Sequence, residues 1–304
     1  MTFDLMRLIA ALLVVVSHTF PLSGQPALEI MGVEDFGALG VSIFFVISGY
    51  LVTASYQRNP RTYILKRLLR IEPALIASLV LTVLVLSRVT TATPAEYWPA
   101  AGMYVLRNAA LYPATYYLPG VFQSVPVAGV VNGVLWTLRL EFSFYLLLLL
   151  VGARRSFVMF ILLICAILWA SLHDAAPHWA ADKLTRIVFL TARNGFLFFA
   201  GAALQLVGKR VPLWLGIASA LVFPFAGVTV LPTAVLGLSR PGKLPADLSY
   251  GIYIYAFPVQ QLLAQAGKLN ILTAVLAVVP FAVASWFLIE RPAQRLKPGP
   301  PPAW

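Results

Sequence analysis

Long apolar runs, interrupted by charged residues or by Pro and Gly, dominate the chain. They fall at about 3–22, 37–56, 72–89, 132–151, 156–172, 186–207, 212–224, 226–239, 247–266 and 270–289. Most approach the ~20 residues a helix needs to cross a ~30 Å hydrocarbon layer. The pattern predicts an all-α integral membrane protein of about ten transmembrane helices. The pair at 212–239 is ambiguous: Pro224 and Gly227 sit at its centre, so it reads as one broken helix or as two short ones.

Basic residues orient these spans. Arg58, Arg61, Lys66, Arg67 and Arg70 lie between the second and third runs, and Arg154 and Arg155 follow the fourth. Lys209 and Arg210 follow the sixth, Arg240 and Lys243 the eighth, and Arg291, Arg295 and Lys297 the tenth. Every even-numbered turn is basic, so the positive-inside rule puts both N- and C-termini in the cytoplasm. The same pattern favours dividing 212–239, because one span there would invert everything after it. The opposite face carries one long connection, 90–131, with Pro94, Pro99, Pro113, Pro119 and Pro126 among Tyr97, Trp98, Tyr104, Tyr112, Tyr116 and Tyr117. Such rings suit a membrane interface, and they also suit stacking on sugars. Residues 1–297 read as one transmembrane domain and 298–304 as a Pro-rich disordered tail.

Composition narrows the class. The residues are 60% hydrophobic and 11% charged, against about 25% charged in soluble proteins. Disorder, a coiled coil and an ordinary soluble domain are excluded. The net charge of +11 is explained by the basic turns, so no nucleic-acid partner is implied. A lone Cys165 permits neither an internal disulfide nor a cysteine-based metal site. The N-terminus lacks a basic leader and a small-residue cleavage site, and reads as an uncleaved first helix.

Ionisable groups inside apolar runs are costly and are usually functional or paired. Asp4, Arg7 and His18 occupy the first run. Arg7 and His18 are three turns apart on one face, ~16 Å along the axis. That places an anion-binding cation at one end and a base that titrates near neutrality at the other. A structural imidazole bonded to a carbonyl and a snorkelling arginine fit the same spacing. Phe44-Phe45-Val46-Ile47-Ser48-Gly49 suits a close helix crossing. Lys66-Arg67-Leu68-Leu69-Arg70-Ile71-Glu72-Pro73 sets topology and could also bind a polyanionic ligand. Trp136-Thr137-Leu138-Arg139-Leu140-Glu141 buries a carboxylate that needs a partner, with Arg7, His18 or Arg193 as candidates. Ser249-Tyr250-Gly251-Ile252-Tyr253 opens the ninth run with hydroxyls on nearby faces, and Glu290-Arg291-Pro292 closes the last. His173, Asp174 and His178 carry donor atoms, but their spacing matches no standard zinc motif, and no metal site is expected.

In this order, these motifs resemble the acyltransferase 3 family of membrane acyltransferases, whose members modify bacterial surface polysaccharides, O-antigens and exopolysaccharides. The family pattern opens with Arg and His separated by ten residues, matched by Arg7 and His18. It continues with Phe-Phe-x-x-Ser-Gly (Phe44 to Gly49) and Arg-x-x-Arg-Ile-x-Pro (Arg67 to Pro73). Trp-Ser/Thr-Leu-x-x-Glu-x-x-Phe/Tyr-Tyr follows (Trp136 to Tyr145), then Ser-Tyr-x-x-Tyr (Ser249 to Tyr253) and Glu-Arg-Pro. Many members carry a further His where this chain has Ala256, so no role for it transfers. The chain also reads as the bare membrane module, without the hydrolase-like domain some members append.

The resemblance implies an O-acyltransferase of the bacterial inner membrane. The donor would be cytoplasmic acyl-CoA, with acetyl-CoA favoured in the family, and no prosthetic group. The acceptor would be a hydroxyl of a polysaccharide or lipid-linked oligosaccharide. His18 would act as base or as transient acyl carrier, with Glu141 orienting it. Asp4, Arg7, Ser48, Arg67, Arg70, Trp136, Tyr145, Tyr250 and Tyr253 would bind substrate. Homo-oligomerisation is left open. A transporter or flippase without chemistry, or a non-catalytic partner of a polysaccharide synthase, is the competing class.

Overall fold

The computed structural model describes residues 1–30, 34–112, 115–173, 182–240, 242 and 244–298. It is helical throughout except for one antiparallel ribbon, β1 (Glu29–Ile30) against β2 (Glu34–Asp35). The helices are α1 (Phe3–Leu22), α2 (Phe36–Arg58), α3 (Tyr63–Leu86), α4 (Pro94–Ala109), α5 (Leu135–Val151) and α6 (Arg155–His173). There follow α7 (Lys183–Val207), α8 (Leu213–Ala226), α9 (Leu231–Leu238), α10 (Ser249–Gln265) and α11 (Ile271–Ser285). A π-helical turn at Trp286–Glu290 joins α11 to α12 (Arg291–Arg295).

Side-chain caps fix several starts. Thr2 accepts from Leu5 N–H at 3.1 Å and Asp35 from Ala38 N–H at 2.9 Å, so neither helix leaves all its first amides bare. Among the described residues, seven segments are long and apolar enough to cross a membrane: Phe3–Leu22, Phe36–Arg58, Pro60–Leu86, Arg155–Leu172, Lys183–Val207, Leu213–Leu238 and Ile271–Arg295. α6 shows what surrounds them. Phe157, Met159, Phe160, Leu163, Ile164 and Ile167 all stand exposed along it. A helix that is apolar on its outer face belongs in lipid. The protein is a multi-pass membrane protein.

Four expectations are corrected. The 90–131 connection is not all loop: α4 fills 94–109, started by a Thr93–Glu96 capping box with Pro94 in its first turn. The third run begins nine residues early, at Tyr63, so Arg67 and Arg70 stand on α3 rather than in a basic loop. Charged residues masked the helical turn they sit on. The fourth helix starts later than expected, at Leu135. The 212–239 pair, which length and apolarity alone would make one span, folds back on itself. Ser219 and Thr233 hydroxyls meet at 2.7 Å, and Gly216 abuts Gly237, where a Cβ on either would overlap the facing backbone. With 14 and 8 residues, α8 and α9 measure about 21 and 12 Å, so each reaches only part-way through a ~30 Å core.

Helix crossings at small residues hold the bundle. At the α2–α7 crossing a Cβ on Gly49 would overlap the Phe198 carbonyl, and one on Gly201 the Val46 carbonyl. Backbones in a membrane approach this closely only where the side chain is absent. Gly195 leaves room in the same way for Cys165 on α6.

Candidate active site

α1 and α10 pack side by side in the same direction, so matching levels can be read up both helices. At the first level Arg7 faces Asp247, the residue two before α10. At the next-to-last level His18 faces Phe257, ring centroids 5.3 Å apart and edge-on. At the last, Gln260 Nε2 donates to the Val15 carbonyl at 2.8 Å and to Thr19 Oγ1 at 2.9 Å. α2 and α5 run the opposite way beside them. Ser48 and Glu141 therefore stand near the Arg7 level, and Gly37 and Gly133 near the His18 level.

The Arg7 level opens into a cavity of about 700 Å³, mouth included. Arg7, Arg67, Arg70, Ser48, Glu141 and Tyr145 line it, with Ser249, Tyr250, Tyr253, Thr137 and a greasy wall of Val41, Phe44, Phe45, Ile71 and Leu138. Residues of five motifs, spread over 246 positions from Arg7 to Tyr253, thus line one space.

Two polar networks organise the cavity. Arg70 Nη2 donates to Asp247 Oδ2 at 2.6 Å, and Arg7 Nη1 lies 3.8 Å from the same oxygen. Asp247 Oδ1 accepts from Ser249 Oγ at 2.5 Å. Burial alone would raise the Asp247 pKa; the Arg70 and Arg7 charges and these hydrogen bonds outweigh it and hold it well below the usual carboxylate range. Asp247 is therefore a charged clamp that aims two guanidinium groups. The second network is on the opposite wall. Glu141 Oε1 accepts from Tyr145 OH at 2.5 Å and from Ser48 Oγ. Arg67 also lines the cavity; its Nε is buried without a hydrogen-bond partner and its Nη2 donates to Ser55 Oγ at 3.5 Å. Among the described residues no carboxylate lies within ion-pair distance of it. A buried guanidinium left this way is a site for an anion.

Tyr250 OH donates to the Ile71 carbonyl at 3.0 Å, and Tyr253 OH shares a 2.5 Å hydrogen bond with Thr137 Oγ1. Tyr253 and Phe44, centroids 5.4 Å apart and edge-on, both line the cavity. One turn further along α10 comes Phe257, seated against His18 on one side and Gly133 on the other, where a Cβ would come within 2.6 Å of its ring. His18 Nδ1 is buried without a hydrogen-bond partner, and the Asp35 carboxylate lies close enough for its charge to act on the ring. Beyond His18 sits the loop between α4 and α5. Gln261 Nε2 holds it through the Val127 and Val130 carbonyls at 2.8 and 2.7 Å. Of its aromatic residues and those of α4, Tyr97 and Tyr104 are buried structural rings, whereas Trp98, Tyr112 and Tyr117 are exposed.

Most of the anticipated residues line the cavity; His18, Trp136 and Asp4 do not, and Glu141 has other partners than expected. His18 does not line the cavity but stands past its inner end. Glu141 is engaged by Ser48 and Tyr145, not by His18, Arg7 or Arg193; Arg193 Nη2 donates to Ser42 Oγ at 3.0 Å. Trp136 is half-buried on α5 beside Thr137 but is not among the cavity residues. Asp4 stands behind the wall, 3.9 Å from Arg7 and accepting from Leu244 N–H at 3.1 Å, so it steadies the arginine. Asp247, Phe257 and Thr137 were not anticipated. Asp247 had a signal, a lone acid just before the Ser-Tyr-x-x-Tyr motif; Phe257 had none. The His173–His178 question lies outside the described residues, because Asp174 and His178 are among those not described.

Comparison with known proteins follows the same lines. The model of a family described as an acyltransferase domain matches residues 2–241. The chain is 32% identical to "Nodulation protein 10" of Rhizobium leguminosarum bv. viciae, over 97% of this chain and 93% of that protein. It is 29% identical to an "O-acetyl transferase" of Shigella phage Sf6, over 95% and 94% of the two chains. No solved structure matches.

Proposed function

The chain belongs to the acyltransferase 3 family, is an acyltransferase, and on that premise we propose that it moves an acyl group from acyl-CoA to a saccharide hydroxyl. Acetyl-CoA is the favoured donor, in keeping with the name of the phage relative, an O-acetyl transferase. The acceptor is a polysaccharide or a lipid-linked oligosaccharide, and the membrane is the bacterial inner membrane with both termini cytoplasmic. Residues 1–297 act as one transmembrane domain, with 298–304 as its tail.

One observation carries this reading: the arginine-lined cavity and His18 lie in line along α1 and α10, with the aromatic loop beyond. The donor's phosphates sit at Arg7, Arg67 and Arg70, and its thin pantetheine arm runs inward past Tyr253 and Phe44. The thioester then reaches the His18 level, where the alcohol arrives from the opposite side under Trp98, Tyr112 and Tyr117. His18 takes the proton of the alcohol as its oxygen attacks the thioester carbonyl. The tetrahedral intermediate collapses to the ester and releases coenzyme A, whose thiolate recovers the proton. An acyl-His18 intermediate would use the same geometry in two steps. Glu141, with Ser48 and Tyr145, shapes the donor cavity.

Purified protein in lipid nanodiscs, given labelled acetyl-CoA and a panel of bacterial saccharides, tests the reading. Acceptor-dependent thiol release with label in the saccharide supports it. Transbilayer movement of a saccharide without thiol release would replace it with transport.

A further inference from the structure

Outside the cavity lining, but within reach of the charges of its arginines, stands a cation that belongs to none of the motifs. Lys297 follows α12, which packs on α3, the helix that carries Arg67 and Arg70. Its side chain is half-buried, and its Nζ donates to Gln294 Oε1 at 3.3 Å. Gln294 Nε2, on the same turn, is buried without a partner. The charges that act on Lys297 come from every element around it: Arg67 and Arg70 on α3, Arg7 on α1, and Asp247 before α10. Three of the four are positive, and Asp247 is already engaged by Arg70 and Arg7. On its own element Arg291 and Arg295 are exposed to the outside. Among the described residues Lys297 has no carboxylate within ion-pair distance.

We propose that Lys297 is a fourth cation of the donor site, a specificity-determining residue that contacts the phosphate-rich end of the donor and separates polyphosphorylated acyl thioesters from unphosphorylated ones. The proposal rests on the acyl-CoA reading of the cavity. An ammonium group on which three guanidinium charges act gains from a polyanion placed between them. Burial and the neighbouring arginines push Lys297 down to about 7, so without a ligand it is half-charged near neutrality. A bound polyphosphate restores the proton. Donor affinity contributed by Lys297 is therefore full below pH 7 and weakens as pH rises above it. The second ionisation of a phosphate monoester has its midpoint near pH 6 and is largely complete above pH 7, so the window from pH 7 to 9 reports the lysine.

Equilibrium binding of coenzyme A and of pantetheine to the full chain in nanodiscs, at pH 6 to 9, tests this. Wild type binds coenzyme A far more tightly than pantetheine, and its coenzyme A affinity falls between pH 7 and 9. Lys297→Ala weakens coenzyme A about tenfold at pH 6.5 and leaves pantetheine unchanged. Lys297→Arg keeps coenzyme A affinity and removes the fall above pH 7, because a guanidinium does not deprotonate there. Equal coenzyme A affinity in wild type and Lys297→Ala, or an arginine variant as weak as the alanine one, overturns the role of Lys297 alone. A wild type that does not prefer coenzyme A to pantetheine overturns the acyl-CoA reading together with it.

Discussion

Arg7 and His18 share one helix, yet their neighbourhoods have opposite chemistry. Around Arg7, charges face charges: Asp4, Asp247, Arg70 and, across the cavity, Arg67 and Glu141. Around His18 the contacts are an aromatic edge, a glycine and neutral amide or hydroxyl hydrogen bonds, with Asp35 the nearby charge. A charged, solvent-reached space can hold a charged ligand at modest cost. A tight, aromatic-walled level strengthens whatever electrostatics act within it and excludes water from a reactive ester. On the proposed roles, the contrast would separate binding from chemistry by ~16 Å of helix.

The separation can be broken by substitution. His18→Ala should have the largest effect, lowering acceptor-dependent thiol release by about 10²–10⁴-fold. Coenzyme A affinity should stay within about twofold, measured on the same preparation. An equal loss of binding would mean that the two levels are one. Arg67→Ala should raise the donor KM by roughly 10–100-fold, the worth of about 1.5–3 kcal/mol for hydrogen bonds to a charged group, with little change in kcat. Glu141→Gln keeps the size of the side chain that receives Ser48 and Tyr145. It should lower turnover about tenfold without moving the pH–rate midpoint set by His18, the mark of a cavity residue rather than a partner of the imidazole. Phe257→Ala, the mildest, should leave donor KM unchanged and raise acceptor-independent thiol release a few-fold, by letting water reach the thioester.

The sequence displayed the helices well and their meetings poorly. α1, α2 and α7 announce themselves by apolar length, a local property that needs no partner. α4 was hidden because Pro94, Pro99 and its tyrosines read as loop, although Thr93 and Glu96 already spelled a helix start. Arg67 and Arg70 read as a topological loop because charge was weighed before helical phase. Five motifs pointed to one site, but pairings across it depend on non-local crossings. Glu141 meets Ser48 only because α2 and α5 run in the same direction beside one another, although the two residues are 93 positions apart in the chain. Phe257, an apolar residue in an apolar helix, carries no mark at all until its ring is seen lying between Gly133 and His18.

The folded-back pair of α8 and α9 has a bearing on how such a chain can change over evolutionary time. Pro212 and Gly237 lie side by side, so the segment departs and comes home at one spot. Its removal or duplication would leave each downstream helix facing the way it did before. Elsewhere in the bundle, losing a single crossing would turn the remainder upside down and carry Asp247 away from Arg70. This detachable loop of helix is where length can be gained or lost while the reaction chamber keeps its walls.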